Sequence, residues 1–181
     1  KQCIAVKKFY LEKKTSKFLE TPFTPKAFTH SNFIELASSK LINELILQNI
    51  SQNFILNYDW SYKERNGVCD DLFPYTSFHY NELIDSSELY TDWVKKKHTL
   101  NEFYNAYFQI IVAIYTLQTY FGMTHLDLHS DNIIVKKVNK GGCWKYIVND
   151  DTYYLPNLGY IFLINDFGHA FIPKYFKSLF I

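Results

Sequence analysis

The sequence predicts an α+β fold in two parts, and three observations carry that prediction. Short apolar runs rich in β-branched and aromatic residues recur at 3–11, 54–62, 73–84, 132–138 and 160–166, each bounded by polar or turn-forming residues. One stretch, 99–122, keeps helical periodicity throughout. The strands do not alternate with helices in a βαβ rhythm. Strands and one helix come first, then a long helix with short hairpins.

Composition supports a packed core, with 48% hydrophobic residues, and argues against disorder. The 15 Tyr and 16 Phe come without a basic stripe, so they read as core rather than as a nucleic-acid stacking platform. A net charge of +1 creates no global field to recruit nucleic acid or a membrane. Cys3, Cys69 and Cys143 are widely spaced and form no CxxC pair. That argues against a disulfide framework or zinc knuckle and for a reducing compartment. The stretch 103–124 carries no charge, but Asn105, Gln109, Thr116, Gln118 and Thr119 mark it as a buried amphipathic helix, not a membrane span.

In chain order, 3–11 reads as a strand and 12–31, with its charges and two prolines, as a loop. Leu36, Leu41, Ile42, Leu45, Ile46 and Ile50 predict a helix or helix pair over 32–50. Strands follow at 54–62 and 73–84, and a short helix at 86–96 capped by Ser86 or Ser87. The long helix is capped by Asn101 and ended by Gly122. After the strand at 132–138, Gly-Gly and Asp-Asp turn signals make 139–157 a hairpin insertion, and 160–166 is a buried strand. No internal repeat is visible. There is no Met at position 1 and no signal-peptide pattern, and the chain opens and closes in mid-pattern, so it reads as a piece of a longer protein.

The chemistry concentrates in "HLDLHSDN", residues 125–132, between the long helix and a strand. A carboxylate held there, Asp127, can take a proton from an attacking hydroxyl. Asn132 can offer its amide oxygen to Mg²⁺, which binds few protein groups and keeps its other positions for phosphates and water. Asp166 ends a buried strand just before Phe167 and Gly168, well placed to hold a metal between phosphates. His125, Asp127 and His129 also permit a facial metal triad, but that needs a β-rich barrel and leaves Asn132 and "DFG" unexplained. His30, His79 and His98 have no companions and read as surface or satisfied core histidines. Lys95 to Lys97 read as a solvated helix end.

His125-x-Asp127-Leu128-x-x-x-Asn132 resembles the protein-kinase catalytic loop, Asp166-Phe167-Gly168 its D-F-G, and Ile4-Ala5-Val6-Lys7 its lysine strand. "NELILQNISQNFIL" supplies Glu44 as the helix glutamate for Lys7, with Glu35 as the rival, and Lys8 is the register alternative to Lys7. "YNELIDSSELYTDW" is similar to the linker between kinase lobes, where Glu82 to Ile84 would offer backbone groups to adenine and Glu88 would reach the ribose. Each piece is weak alone, but five in the family's order are specific.

The resemblance implies a two-lobed protein-kinase-like fold, incomplete at both ends. Residues 1–84 would be a partial N-terminal lobe and 85–181 a partial C-terminal lobe. It implies phosphoryl transfer from ATP with Mg²⁺. Lys7 would hold the phosphates, Asn132 and Asp166 the metal, and Asp127 would serve as base, with His125 bracing the loop. A protein hydroxyl is the first-choice acceptor. A small hydroxyl or amino compound, as for aminoglycoside and choline kinases, is the alternative, and a pseudokinase that binds without turnover is a third reading. Leu126 replaces the usual arginine, which implies no phosphate-driven activation switch, and His129 replaces the usual lysine. The phosphate-binding glycine loop and the substrate-selecting segment would lie outside this chain, leaving the piece alone inactive. "THLDLHSDNII" with an AT-rich composition is similar to kinases of large DNA viruses, which implies a cytoplasmic or virion location.

Overall fold

The computed structural model describes residues 4–24, 26–65 and 73–173. Cys3 and Cys69 lie outside those residues, as do residues 66–67 in the polar run that bounds the 54–62 strand.

The chain opens on strand β1 (Ile4–Leu11), whose side chains alternate between exposed and half-buried. That alternation puts Lys7 on the inner face and Lys8 on the outer, deciding the register between them. Residues 12–30 hold a single helical turn, α1 (Lys13–Ser16), and a 3₁₀ turn at Ala27–Thr29. Helix α2 (Ser31–Leu47) buries Phe33, Leu36, Ala37, Leu41, Ile42 and Leu45. Strands β2 (Asn57–Glu64) and β3 (Tyr75–Glu82) follow, and β1 and β2 flank β3 in an antiparallel sheet.

After Glu82 the short helix expected over 86–96 is replaced by a strand, β4 (Ser87–Leu89), and one helical turn, α3 (Tyr90–Trp93). Pairing of Glu88 with Val135 takes residues 87–89 into a sheet. Helix α4 (Leu100–Phe121) is capped by Thr99, not Asn101. The Glu102 N–H donates to Thr99 Oγ1 at 3.2 Å and the Thr99 N–H to Glu102 Oε2 at 2.7 Å, a reciprocal capping box. Gly122 ends the helix at φ 61°, a left-handed conformation that glycine adopts without a Cβ clash.

Strand β5 (Ile133–Lys137) lies between β4 and β8 (Tyr160–Ile164). The intervening strands β6 (Cys143–Val148) and β7 (Asp151–Pro156) form the hairpin expected from the turn signals. One apolar cluster joins the two parts: Phe33, Leu41 and Leu45 of α2 pack with Ala113 and Leu117 of α4 and with Ile164 and Phe167. A buried polar network reinforces the junction. Asn53 donates to Gln109 Oε1 (3.0 Å) and the Phe162 carbonyl (2.8 Å), and accepts from the Tyr146 hydroxyl of the hairpin (3.1 Å). No described helix is long and apolar enough to cross a membrane.

Candidate active site

The junction brings Lys7, Glu35 and Asp166 together from three separate elements. Lys7 Nζ lies 2.9 Å and 2.7 Å from the two carboxylate oxygens of Glu35 and 2.9 Å from Asp166 Oδ1. Burial alone would depress the Lys7 ammonium, but the two carboxylates outweigh it and hold its pKa above the ordinary lysine value. Burial pushes the Glu35 carboxyl up, and Lys7 pulls it back. For Asp166, burial is likewise outweighed, here by Lys7 and the Gly168 N–H, so its carboxyl sits below the ordinary range.

Glu44, the helix glutamate expected from the sequence, is a correction. It lies on the exposed side of α2, where Leu47 is 71% exposed, and Glu35 takes the role. Helical spacing explains the difference. Glu35, Ser38, Ile42 and Leu45 share the buried face, whereas Lys40, Glu44 and Leu47 point outward.

The loop 125–132 sits directly after α4. His125 is 6% exposed; its Nε2 donates to the Asn165 carbonyl (2.9 Å) and its Nδ1 accepts the Asp127 N–H (3.3 Å). One imidazole therefore ties the loop to the residue preceding Asp166. Burial holds it neutral, below the usual histidine value. Its ring packs 4.7 Å from Phe167, which is buried. Asn132 Nδ2 donates to the Asp127 carbonyl at 2.9 Å, and the Asn165 N–H donates to the Asn132 carbonyl at 2.9 Å. Asn132 is thus fastened to both Asp127 and the Asp166 segment, while the Asp127 side chain is 44% exposed to solvent. Leu126 (φ 62°) and Asp166 (φ 61°) both hold left-handed backbone that non-glycine residues rarely adopt. Such strain persists where the surroundings over-determine a functional geometry.

The remaining site residues behave less simply. Ile84 is half-buried and its carbonyl already accepts Ser87 Oγ (2.8 Å). The Glu82 N–H donates to the Leu56 carbonyl (2.7 Å), and its carboxylate lies 3.4 Å from Lys136. Glu88 is paired with Lys96 and lies 3.8 Å from Lys137, so its carboxylate is tied to lysines rather than left free for a ribose. His129 caps the 3₁₀ turn Ser130–Asn132, and its Nε2 lies 3.2 Å from Asn132 Nδ2 and 3.9 Å from Asp127 Oδ2. No group of three His, Cys, Asp or Glu suited to a metal occurs among the described residues. Asn132 and Asp166 supply oxygen donors, the chemistry that fits Mg²⁺ shared with phosphates.

Comparison with known proteins finds relatives among large DNA viruses. Protein 019R of Frog virus 3 (isolate Goorha), provisionally named a serine/threonine-protein kinase, is 32% identical over 117 residues, 60% of this chain and 14% of that protein. Protein 380R of Invertebrate iridescent virus 6, with the same provisional name, is 31% identical over 80 residues, 42% of this chain and 15% of that protein. Over those stretches the chain is similar to proteins provisionally named serine/threonine-protein kinases. The uncharacterised protein 011L of Invertebrate iridescent virus 3 is 27% identical over 143 residues, 71% of this chain and 18% of that protein. Among solved structures, the Rad53 kinase domain matches with a TM-score of 0.42 and 16% identity, over 75% of this chain and 40% of that one. No family model matches. The chain spans less than a fifth of each of those viral relatives.

Proposed function

We propose that this chain is the nucleotide-binding and catalytic part of an ATP-dependent phosphotransferase that acts on a protein hydroxyl. The observation carrying the reading is the three-way contact of Lys7 with Glu35 and Asp166. An ammonium held between two carboxylates is presented for a triphosphate, because phosphate oxygens can replace the Asp166 contact while Glu35 keeps the lysine in place. Phosphoryl transfer needs positioning and charge neutralisation more than covalent help. Lys7 then binds the phosphates, and Asn132 and Asp166 offer oxygens to Mg²⁺, which supplies charge neutralisation when bound. Asp127, half-exposed and oriented through its backbone by His125 and Asn132, accepts the proton of the attacking hydroxyl. The viral relatives' provisional names support a protein acceptor. His129, beside Asp127, is the observation that favours a small hydroxyl or amino compound instead.

The test is transfer of labelled γ-phosphate from Mg-ATP by the full-length protein, offered generic protein substrates and, separately, small aminoglycoside and amino-alcohol acceptors. Labelled protein, abolished by Asp127→Asn, is the expected result. Transfer unaffected by that substitution removes Asp127 as base. ATP binding without transfer to any acceptor replaces the enzyme with a binding module.

A further inference from the structure

Helix α2 has a second polar attachment, eight residues beyond Glu35 and about 12 Å along the helix axis. Asn43 Oδ1 accepts the Asn57 N–H at 3.0 Å, and Asn43 Nδ2 donates to the Asn57 carbonyl at 2.6 Å. Both halves of one side-chain amide therefore close on both backbone groups of one residue. Asn57 stands where the pairing of β2 with β3 shifts register, between Asn57 and Asp59. Its own Nδ2 donates to Asn81 Oδ1 on β3 at 2.8 Å. Three asparagines thus run in series from α2 through β2 to β3. Asn81 and Glu35 line one small cavity with Asp166, which places the end of the series beside the Lys7 cluster.

The rest of the α2 contact is apolar, through Leu41, Ile42 and Leu45. Apolar burial is non-directional and tolerates small slides and rolls of a helix. A two-point amide contact does not, because any such movement leaves part-buried polar groups unpaired.

We propose that Asn43 is a positioning residue: its clamp on Asn57 fixes α2 so that Glu35 stays against Lys7, with no ligand or modification needed to assemble the pair. Its consequence for nucleotide binding rests on the function proposed above, whereas the clamp itself does not. On this account the Lys7–Glu35 pair is constitutively formed in the free chain.

The test reads Lys7 directly. The rate at which an amine-acylating reagent modifies Lys7 is followed by peptide mass spectrometry in the 181-residue chain. Lys8, on the opposite face of β1, serves as the internal reference. Asn43→Ala should raise labelling of Lys7 roughly fivefold, the factor carried by about one net hydrogen bond, and leave Lys8 unchanged. In a Glu35→Gln background the same substitution should add nothing, because Asn43 acts through Glu35. Equal acceleration in both backgrounds overturns the proposal, as does no acceleration at all. If Asn43→Ala fails to fold, Asn43→Gln keeps the amide, breaks the two-point geometry and carries the same expectations. Mg-ATP affinity should fall with Asn43→Ala by a similar factor. Lys7 labelling that behaves as stated while the unmodified chain binds no Mg-ATP refutes the nucleotide reading and leaves the clamp standing.

Discussion

His79 on β3 offers a pH-dependent test of the packing behind Lys7. It lies directly across the strand pair from Lys7, is 1% exposed, and packs 4.8 Å from the Phe9 ring. Neither ring nitrogen has a hydrogen-bond partner. Burial, with a smaller contribution from the Lys7 charge, lowers its pKa to about 4. The folded state therefore keeps the ring neutral while the unfolded chain takes up a proton below about 6.5. Stability is full above pH 6.5, falls as pH drops, and levels off near pH 4. Each unit in that window is worth a little over 1 kcal/mol, so the loss is on the order of 1 kcal/mol at pH 5.5 and roughly 2–3 kcal/mol at pH 4.5. Urea denaturation at pH 7.5, 5.5 and 4.5 measures it, with His79→Phe as the reference. The variant should differ from the parent by those amounts in slope, whatever its absolute stability at pH 7.5. Identical pH profiles would refute a neutral, unpartnered His79.

Further outcomes follow from named contacts. Glu35→Gln removes a carboxylate whose side chain is 7% exposed and should weaken Mg-ATP binding at least tenfold, on the scale of about 1.5–3 kcal/mol for a charged hydrogen bond. Glu44→Gln, on the solvent side of the same helix, should leave titration calorimetry unchanged. Tyr146→Phe takes the hydroxyl from Asn53 and should cost about 1–2 kcal/mol in chemical denaturation; no loss would mean the hairpin is not fastened through that bond. Thr99→Ala should cost about 1 kcal/mol through the lost capping box and Asn101→Ala close to nothing, read by thermal unfolding.

Much of the site was legible because its motifs are local. "HLDLHSDN" and "DFG" each put their polar residues on short connections after strongly periodic elements, so their placement survives errors of one or two residues at element ends. Lys7 was legible only through its likeness to the kinase lysine strand, with Lys8 left as the register alternative until the alternation of β1 decided between them. Its partner was misread because that choice turns on helical phase, not on spacing from Lys7. The signal was present: Glu35 falls among Phe33, Leu36 and Ala37 on the buried face, and Glu44 shares its face with Lys40. The T-x-x-E sequence before α4 likewise announced Thr99 as the cap, ahead of Asn101. The strand at 87–89 was not readable locally, since it forms only because Val135 lies opposite Glu88. The asparagine series and the Asn53 network were invisible for the same reason. Each joins residues far apart in sequence, and asparagine carries no periodic signal.

Lys7 held between Glu35 and Asp166 is the proposed seat for Mg-ATP. Isothermal titration of ATP into this chain, with and without Mg²⁺, tests it most directly, alongside Asp166→Asn and Lys7→Met. Binding should strengthen with Mg²⁺, lose that Mg²⁺ dependence in Asp166→Asn, and be lost or strongly weakened in Lys7→Met. Binding that ignores Mg²⁺ and survives both substitutions would contradict it.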